Sequence, residues 1–487
     1  MDRRRFLKYA GAAAVAGAAA LGLDYLNRPG SSNLDQILDR TPPIIKDFQF
    51  QPTRVVNGKV YDATISFIVE DAESGVADAS GSLEGYAPTI PARACPAEPS
   101  RTLSLAPAQS SGKSVAFSAQ CADLKGGKKY QASVIAKDSA NNQAQSQYDT
   151  PYVRELENIS GKDNILVGAF YHPWWKNPCP EGFCHWGEIT DEMSKGTTGN
   201  GTPLLGLYNS DDPLVISKHI DWATGHGIDY FMISWANSGP RSGPSRTKSI
   251  LENPLIEQIK FAIFYETLML GPTEENVNLN ESATYARFQA DLEYVARNYF
   301  THPSYLRIDG VPVLHIYGSE FTKGDIAEPM KKVRQHLRDL GFEVYLIGDE
   351  MRTMWKEEID LSRLKAFDAV TDYGLPPPRF KDMSSATTRS EYARWRSVAH
   401  SVGVELIPAP YPGTDDRVVK SRTTHVFVPK STEFFATNLR IAMEFVDRNQ
   451  MLNIVSWDEW AENSYIEPSV EDDFKYLQTL RDTLAEH

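Results

Sequence analysis

Two different patterns of hydrophobic and polar residues divide the chain near residue 152. Before that point, short runs alternate between apolar and polar positions, as in residues 63–69, 114–118 and 130–136. Glycine and asparagine residues separate the runs, and no helical period is visible. This pattern is typical of half-buried antiparallel strands, so we predict an all-β sandwich domain over residues 45–152.

After residue 160, near-continuous apolar runs alternate with amphipathic segments. The predicted strands are 165–171, 230–235, 261–266, 312–317, 344–349, 366–373, 404–408 and 453–457. The predicted helices are 213–226, 250–258, 281–300, 326–340, 356–364, 391–401, 434–449 and 470–485. Eight buried strands with helical crossovers predict a (β/α)8 TIM barrel over residues 160–487. The alternative is an open doubly wound sheet, which would require a glycine-rich phosphate loop after its first strand, and none is present.

The first thirty residues differ from both regions. Residues 3–8, Arg-Arg-Arg-Phe-Leu-Lys, resemble the twin-arginine export signal and precede an Ala/Gly-rich apolar run. The run, of about 15 residues, is short for a membrane span, which needs about 20. We predict a signal or anchor over 1–30, a linker over 31–44, and export to an extracellular, periplasmic or cell-surface location. Membrane contact is then expected only through this segment, if it stays uncleaved.

The composition limits the class of partner. Hydrophobic residues make up 41% of the chain and charged residues 23%, as in ordinary globular proteins. The net charge of −14 repels phosphate backbones, which makes nucleic acid an unsuitable partner. The sequence does not indicate an oligomeric state.

Four cysteines form two local pairs, Cys95 with Cys121 and Cys179 with Cys184. Each pair lies within one predicted domain, and an exported protein reaches an oxidising environment, so we predict two disulfides in this pairing. Free or metal-bound thiols are the alternative. Zinc is disfavoured because no Cys-x-x-Cys motif and no nearby histidine pair is present. We predict neither a metal nor a cofactor.

Aromatic and acidic residues are concentrated where the predicted barrel strands end. Seven of the eight ends carry an aromatic residue and four carry a carboxylate. Function in such barrels collects at the carboxyl ends of the strands. Aromatic rings stack on sugar faces and carboxylates bind hydroxyls, so this bias predicts a cleft for an oligo- or polysaccharide. The predicted substrate-binding residues are Tyr171, Trp174, Trp186, Trp235, Glu266, Tyr317, Tyr373 and Trp457.

Glu459 and Glu462 follow the last predicted strand and form the strongest catalytic candidate. Glycoside cleavage needs two carboxyl groups at one bond, and a Glu-x-x-Glu spacing can direct both into one pocket. Trp457 and Trp460 could supply the burial that keeps one of them protonated. Glu467 is expected to position the loop that follows. The alternative is that both acids begin a solvated helical turn.

Several motifs resemble glycoside hydrolase family 99 and its relatives, which are (β/α)8 endo-α-mannosidases and endo-α-mannanases. Residues 454–468, containing Trp-Asp-Glu-Trp-Ala-Glu, resemble the family's Asn-Glu-Trp-x-Glu-Gly-Thr-Gln-Ile-Glu signature. Residues 168–175 resemble its first strand, Tyr-Tyr-Pro-Trp-Tyr, where this chain has Tyr-His-Pro-Trp-Trp. The segments 185–186, 208–213, 302–313 and 408–413 resemble further motifs in the same order. The resemblance covers about residues 160–470. Within the predicted sandwich domain, residues 71–76 and 136–142 resemble immunoglobulin-like and fibronectin-type modules of exported proteins, a resemblance that concerns the fold alone.

The resemblance implies a mechanism and a site. Glu459 would act as a base on the sugar's own 2-hydroxyl, giving a 1,2-anhydro intermediate, and Glu462 as the acid at the leaving oxygen. The anomeric configuration would be retained, and the enzyme would be an endo-acting hydrolase of α-mannosides or related α-glycans. Asp458 replaces the signature's Asn, and Glu266-Thr267 departs from the family's Glu-Pro-Tyr. A non-catalytic glycan-binding or surface protein with the same barrel is the alternative.

Overall fold

The computed structural model describes residues 39–486 apart from several internal segments. Those segments are 57–58, 88, 111, 160–164, 178–184, 187–199, 239–242, 272–275, 355, 357, 374–383 and 420–424. The predicted signal segment, most of the linker and the predicted Cys179–Cys184 bridge therefore lie outside the described residues. Across the described part of the chain, no helix has both the length and the apolar character needed to cross a membrane.

The N-terminal region contains two four-stranded antiparallel sheets. The first has the order β1 (Ile44–Val56), β2 (Lys59–Glu70), β6 (Ser114–Cys121), β5 (Ala106–Ser110). The second has the order β4 (Glu98–Leu103), β3 (Val76–Tyr86), β7 (Lys129–Asp138), β8 (Gln143–Asp149). Alternate residues of β6 and β7 are buried, because one face of each sheet covers a shared apolar core. The likeness of this domain to immunoglobulin-like modules remains a prediction.

Eight parallel strands form the second region. In order around the sheet they are β16 (Glu405–Leu406), β15 (Ala369–Thr371), β14 (Tyr345–Asp349), β13 (Val311–Tyr317), β11 (Lys260–Glu266), β10 (Tyr230–Trp235), β9 (Leu166–Tyr171) and β19 (Met451–Ile454). The backbone N–H groups of Asn453 and Val455 donate to the carbonyls of Pro408 and Pro410, at 3.0 Å each, which joins β19 to the chain after β16. The sheet is therefore closed, and the predicted TIM-barrel-like domain is confirmed. Three short strands lie beside it: β12 (Arg307–Ile308), β17 (Thr414–Asp415) and β18 (Phe427–Val428).

Helices connect the barrel strands. They are α1 (Pro213–Thr224), α2 (Gly243–Leu251), α3 (Ser282–Tyr299), α4 (Ala327–Asp339), α5 (Met351–Met354), α6 (Leu361–Leu364), α7 (Ser385–Ser401), α8 (Thr432–Glu444) and α9 (Lys475–Glu486). The start of α1 shows the local cause, since Asp212 accepts the backbone N–H of Leu214 and a proline occupies the first turn. The predicted helix over 356–364 is replaced by the two short helices α5 and α6.

Ring contacts identify which side chains fill the barrel. Phe170 of β9 contacts Phe264 of β11, His315 of β13 and Tyr373 after β15, with centroids 5.0–5.5 Å apart. None of these three strands is a neighbour of β9, so the four rings must meet inside the barrel. Because successive residues of a strand point to opposite faces, the residues beside them in sequence point towards the helices.

Hydrogen bonds connect the β-sandwich to the carboxyl end of the barrel. The guanidinium of Arg93 donates to the carbonyls of Pro203 and Leu204, at 3.1 and 3.3 Å. The Leu204 N–H in turn donates to the Pro468 carbonyl at 2.9 Å. A second contact joins Arg154, after the sandwich, to the buried Asp221 of α1 at 3.3 Å. Contacts thus run from the first domain to the segment that follows β19.

The predicted Cys95–Cys121 disulfide is wrong, because both thiols are free and buried. Cys121 ends β6 and packs within the sandwich core. Cys95 lies in the loop between β3 and β4, packs with the barrel's apolar cluster, and its Sγ contacts the Gly127 carbonyl at 3.2 Å. The two side chains therefore belong to different apolar clusters, which a spacing in sequence cannot reveal.

Candidate active site

The loop after β19 is held by hydrogen bonds to itself. The N–H of Ser456 donates to the Ser464 carbonyl at 2.8 Å, and the N–H of Glu467 donates to the Trp457 carbonyl at 2.8 Å. The N–H of Glu459 donates to the Ser456 hydroxyl at 2.8 Å. Glu459 and Glu462 lie between these bonds and are 5% and 6% exposed. They are therefore buried acids on a fixed loop, and the alternative of a solvated helical turn does not describe them.

Strand β17 supports the backbone of Glu462. The Glu462 carbonyl accepts the N–H of Asp415 at 2.7 Å and the hydroxyl of Thr414 at 3.0 Å. Within the first loop, the Glu459 carboxylate accepts the N–H of Ala461 at 3.1 Å. These bonds fix the backbone of one acid and the side chain of the other.

Glu467 anchors this loop to α1, as expected from its position. One carboxylate oxygen accepts the Tyr208 hydroxyl at 2.7 Å and the Trp460 indole N–H at 3.1 Å. The other oxygen lies 3.1 Å from Nε2 of His219. All four side chains are at most 4% exposed. Because Trp460 lies between Glu459 and Glu462 in sequence, the network determines where that pair sits.

The acids meet other side chains around Tyr373, just after β15. Burial raises the pKa of Tyr373 well above its ordinary value, and the nearby carboxyl groups of Glu462, Glu459 and Glu266 raise it further. The ring of Tyr317, which ends β13, lies 5.3 Å from that of Tyr373. Tyr317 and Tyr373 are therefore in ring contact at the carboxyl end of the barrel, and the acids that follow β19 and end β11 act on the pKa of Tyr373.

Glu266, the last residue of β11, is 7% exposed and accepts the Ser234 hydroxyl at 2.8 Å. Two cations missed by the sequence analysis lie nearby. Burial lowers the pKa of Arg246 in α2, while Glu266 raises it. Burial is the main cause that lowers the pKa of Lys176 to about 8, and the positive charge of Arg246 lowers it further. Lys176 also forms an ion pair with Asp211. No motif marked these residues, since both lie in segments without regular apolar patterning.

Strand β9 is followed by His172 and Trp174, which also reach this site. The indole of Trp174 stacks on the ring of His172, with centroids 4.5 Å apart, and lies 4.4 Å from the ring of His185. Burial lowers the pKa of His172 to about 3. The indole N–H of Trp174 is buried without a hydrogen-bond partner in the part of the chain that the structure describes.

Three predicted substrate-binding residues point the other way, and their assignment needs correction. Tyr171 donates to or accepts from Nδ1 of His219 on α1 at 3.0 Å, and Trp457 lies 5.4 Å from that same ring. Trp235 packs against Tyr294 of α3, with centroids 5.9 Å apart. Tyr171, Trp235 and Trp457 thus lie on the outer face of the barrel, among the helices. The strand ends were predicted well, but not the face on which each side chain lies.

Trp186 also lies away from the strand ends. It is 3% exposed, its indole N–H donates to the Tyr208 carbonyl at 2.6 Å, and its ring packs on Trp175 at 4.4 Å. It stabilises the segment between β9 and α1, and its ring lies 6.4 Å from that of Trp460. Of the predicted substrate-binding residues, Tyr317 and Tyr373 are in ring contact, Trp174 stacks on His172, which contacts Tyr373, and Glu266 acts on the pKa of Tyr373.

Among the described residues, one group of carboxylates is close enough to hold a metal ion. Asp39, Asp71 and Asp138 have ligand atoms within 4.8 Å of one another, at one end of the β-sandwich. Their oxygens also accept backbone N–H groups, such as Gly75 to Asp71 at 2.6 Å and Asn142 to Asp138 at 2.7 Å. Such bonds stabilise buried carboxylates without a metal, so this cluster does not bear on the barrel site.

Comparisons with known proteins point to the same family as the motifs. A family profile described as Glycosyltransferase WbsX matches residues 271–480. The glycoprotein endo-alpha-1,2-mannosidase of Mus musculus is 21% identical over 335 residues, covering 63% of this chain and 68% of that protein. The uncharacterized protein WxcX of Xanthomonas campestris pv. campestris is 24% identical over 364 residues, covering 65% of this chain and 49% of that protein.

Solved structures support the barrel. The GH99 endo-alpha-mannosidase from Bacteroides thetaiotaomicron has a TM-score of 0.51 at 20% identity, covering 66% of this chain and 96% of that one. A glycoside hydrolase-like protein has a TM-score of 0.53 at 21% identity, covering 68% and 96%. At these identities the likeness shows the fold. Together the comparisons confirm the resemblance to glycoside hydrolase family 99 and its relatives.

Proposed function

Starting from this likeness to family 99, we propose that the protein is a retaining glycoside hydrolase that acts on α-mannosides or related α-glycans, with endo action. The observation that carries the proposal is the burial of Glu459 and Glu462 on the hydrogen-bonded loop that follows β19, at the carboxyl end of the barrel. The charges of both acids and of Glu266 also raise the pKa of Tyr373. Three buried carboxyl groups beside aromatic rings suit a sugar, whose hydroxyls need acceptors and whose faces need flat apolar partners.

The proposed first step forms a 1,2-anhydro sugar. Glu459 takes the proton of the 2-hydroxyl, the freed oxygen attacks the anomeric carbon, and the glycosidic bond breaks. Glu462 donates its proton to the leaving oxygen at the same time. The fixed loop supports these roles, because the Glu459 carboxylate accepts the Ala461 N–H and so keeps its position as the proton moves.

In the second step water opens the strained ring. Glu462, now ionised, takes a proton from water, whose oxygen bonds to the anomeric carbon, and Glu459 returns a proton to the 2-oxygen. The two successive inversions retain the configuration. Each acid ends in the protonation state in which it began, so the cycle balances without a cofactor.

The substrate is the less constrained part of the proposal. Thr267 follows Glu266 where the family motif has proline, so the surroundings of that acid differ from the family pattern. An α-mannoside remains the leading candidate, and another α-glycan with a free 2-hydroxyl satisfies the same chemistry. A 2-deoxy sugar would lack the proposed nucleophile.

The test is incubation of the purified protein with a panel of α-mannans and other α-glycans, with released oligosaccharides separated by size. Glu459→Gln and Glu462→Gln serve as matched controls, since both keep the shape of the side chain. Release of oligosaccharides by the parent protein and not by the variants supports the proposal. Release at the parent rate by both variants would overturn the assignment of the pair.

Two alternatives follow from specific observations. The matching profile carries the name of a glycosyltransferase, and a sugar hydroxyl could replace water in the second step. Adding oligosaccharide acceptors to the same assay would then give lengthened products. The departures at Asp458 and Thr267 favour, to a lesser degree, a glycan-binding protein without hydrolysis. Binding without product release across the panel would support that second alternative.

We also propose export by the twin-arginine route, on the basis of residues 3–8. Replacing Arg3 and Arg4 together by lysine keeps the charge and removes the motif. The expected result is retention of the full-length chain in the cytoplasm, measured by cell fractionation. Unchanged export of the double variant would contradict this route.

A further inference from the structure

A chain of three buried side chains crosses the candidate site from β19 to β15. Oδ1 of Asp458 accepts the backbone N–H of His172 at 2.8 Å and lies 3.2 Å from Nδ1 of the same residue. Nε2 of His172 lies 2.9 Å from the hydroxyl oxygen of Tyr373. Asp458 and His172 are at most 1% exposed, and Tyr373 is 7% exposed. Both ring nitrogens of His172 are therefore engaged within the protein.

The hydrogen-bond partners fix where the ring proton lies. Burial holds the pKa of His172 at about 3, so the ring carries a single proton at neutral pH. Oδ1 of Asp458 already accepts a backbone N–H, so it acts as an acceptor and the proton belongs on Nδ1. Nε2 then has only a lone pair, and Tyr373 must donate its O–H to it. Burial raises the pKa of Asp458 well above its ordinary value, but Oδ2 has no hydrogen-bond partner among the described residues, so a proton on Oδ2 leaves Oδ1 as the acceptor.

This arrangement decides what Tyr373 can offer a ligand. Its only proton is directed at His172, so the remaining lone pairs of its oxygen are what a ligand meets. We infer that Tyr373 is the hydrogen-bond acceptor for a sugar hydroxyl beside Glu459 and Glu462, and that His172 and Asp458 are positioning residues that fix it as an acceptor. The sugar contact rests on the proposed function, whereas the proton arrangement does not.

Both ends of the contact between His172 and Asp458 depart from the family motifs. His172 stands where the family motif has its second tyrosine, and Asp458 stands where the signature has asparagine. These two departures lie 286 positions apart in sequence and contact each other directly. Because both His172 nitrogens are occupied, His172 itself has no polar atom left for a ligand, whereas the oxygen of Tyr373, which follows β15, still has lone pairs.

The proton arrangement can be tested without a substrate. Protein labelled with ¹⁵N-histidine is compared with a His172→Gln variant, which assigns the His172 ring signals by their disappearance. We expect Nδ1 to show the shift of a protonated nitrogen and Nε2 that of an unprotonated one at neutral pH. A ring protonated at Nε2, or at both nitrogens, would overturn the inference. Asp458→Leu should lose this single tautomer, because the acceptor at Nδ1 is removed.

The sugar contact is tested by kinetics once a cleaved substrate is known. Tyr373→Phe should raise KM about 2- to 10-fold, the effect of one hydrogen bond, with a smaller change in kcat. On an analogue lacking the contacted hydroxyl, the same variant should show no further loss, and a panel of singly deoxygenated sugars identifies that position. An equal further loss on every deoxygenated sugar would overturn the contact.

The conservative variant separates positioning from general damage. Asp458→Leu should raise KM, whereas Asp458→Asn keeps an acceptor oxygen and should have a KM close to that of the parent protein. Equal loss in both variants would show that the charge, not the acceptor, matters, and would overturn the positioning role. If no glycan is cleaved or bound, the proposed function fails, while the ¹⁵N spectra still decide the proton arrangement.

Discussion

His315 provides a pH test of the barrel interior that does not depend on the activity. It is 0% exposed, its ring lies 5.0 Å from that of Phe264, and neither ring nitrogen has a hydrogen-bond partner in the described part of the chain. Burial lowers the pKa of His315 from 6.5 to about 3. The folded protein therefore keeps this ring neutral at a pH where the unfolded chain protonates it.

The sign and size of the effect follow from this difference. As the pH falls below about 6.5, protonation stabilises only the unfolded chain, so the free energy of unfolding falls by about 1.4 kcal/mol per pH unit until the folded pKa is reached. Between pH 7 and pH 5, His315 alone should account for a loss of about 2 kcal/mol. A variant without an ionisable group at position 315 should lose about 2 kcal/mol less of its free energy of unfolding between pH 7 and pH 5.

The assay is urea unfolding followed by tryptophan fluorescence at pH 7 and pH 5, comparing the parent chain with His315→Phe. Phenylalanine suits the aromatic surroundings, and other titrating groups contribute equally to both proteins. His315→Leu is the matched control, since it changes packing differently but should show the same difference in pH dependence. Parallel loss of stability in the parent and both variants would refute the reasoning.

Three further predictions concern named side chains. Glu462→Gln should lose about 10²- to 10⁴-fold in rate on substrates with poor leaving groups and less on an activated aryl glycoside. Glu459→Gln should be slow on both kinds of substrate. Initial rates measure this, and equal rates for the parent protein and the two variants would contradict it. Glu266→Gln should mainly raise KM, measured beside Glu462→Gln; a loss in kcat as deep as that of Glu462→Gln, with unchanged affinity, would contradict a binding role. Denatured, unreduced protein should release at least two titratable thiols, from Cys95 and Cys121, and none at all would mean that these two are bridged.

The fold was predictable because it depends on local patterns. Buried parallel strands give continuous apolar runs, and helices give a different period, so the eight strand–helix units were visible in sequence. The runs overestimated some strands, as with 366–373, where the structure has only Ala369–Thr371. Tyr373 is buried because it lies in the candidate site and not because it pairs in the sheet, so it lengthens the apolar run beyond the hydrogen-bonded strand.

The site was only partly predictable, and the same continuity explains why. A strand that is buried on both faces loses the alternation that would distinguish inward from outward residues, so Tyr171 and Trp235 looked equivalent to Tyr317. The contact of His172 with Asp458 depends on barrel closure, which no local pattern records. The pairing of cysteines failed for a related reason, because Cys95 turns towards the barrel rather than the sandwich core.

The attachment of Arg93 to the segment 203–204, and of that segment to Pro468, bears on how the two domains can be recombined. Domains of multidomain proteins are often treated as interchangeable cassettes. Exchanging the sandwich domain would remove the guanidinium of Arg93. That group binds the segment 203–204, which in turn binds Pro468, shortly after the loop that carries Glu459 and Glu462. A transplanted sandwich would need an equivalent donor at the loop between its third and fourth strands, so the two domains are expected to be inherited and engineered as one unit.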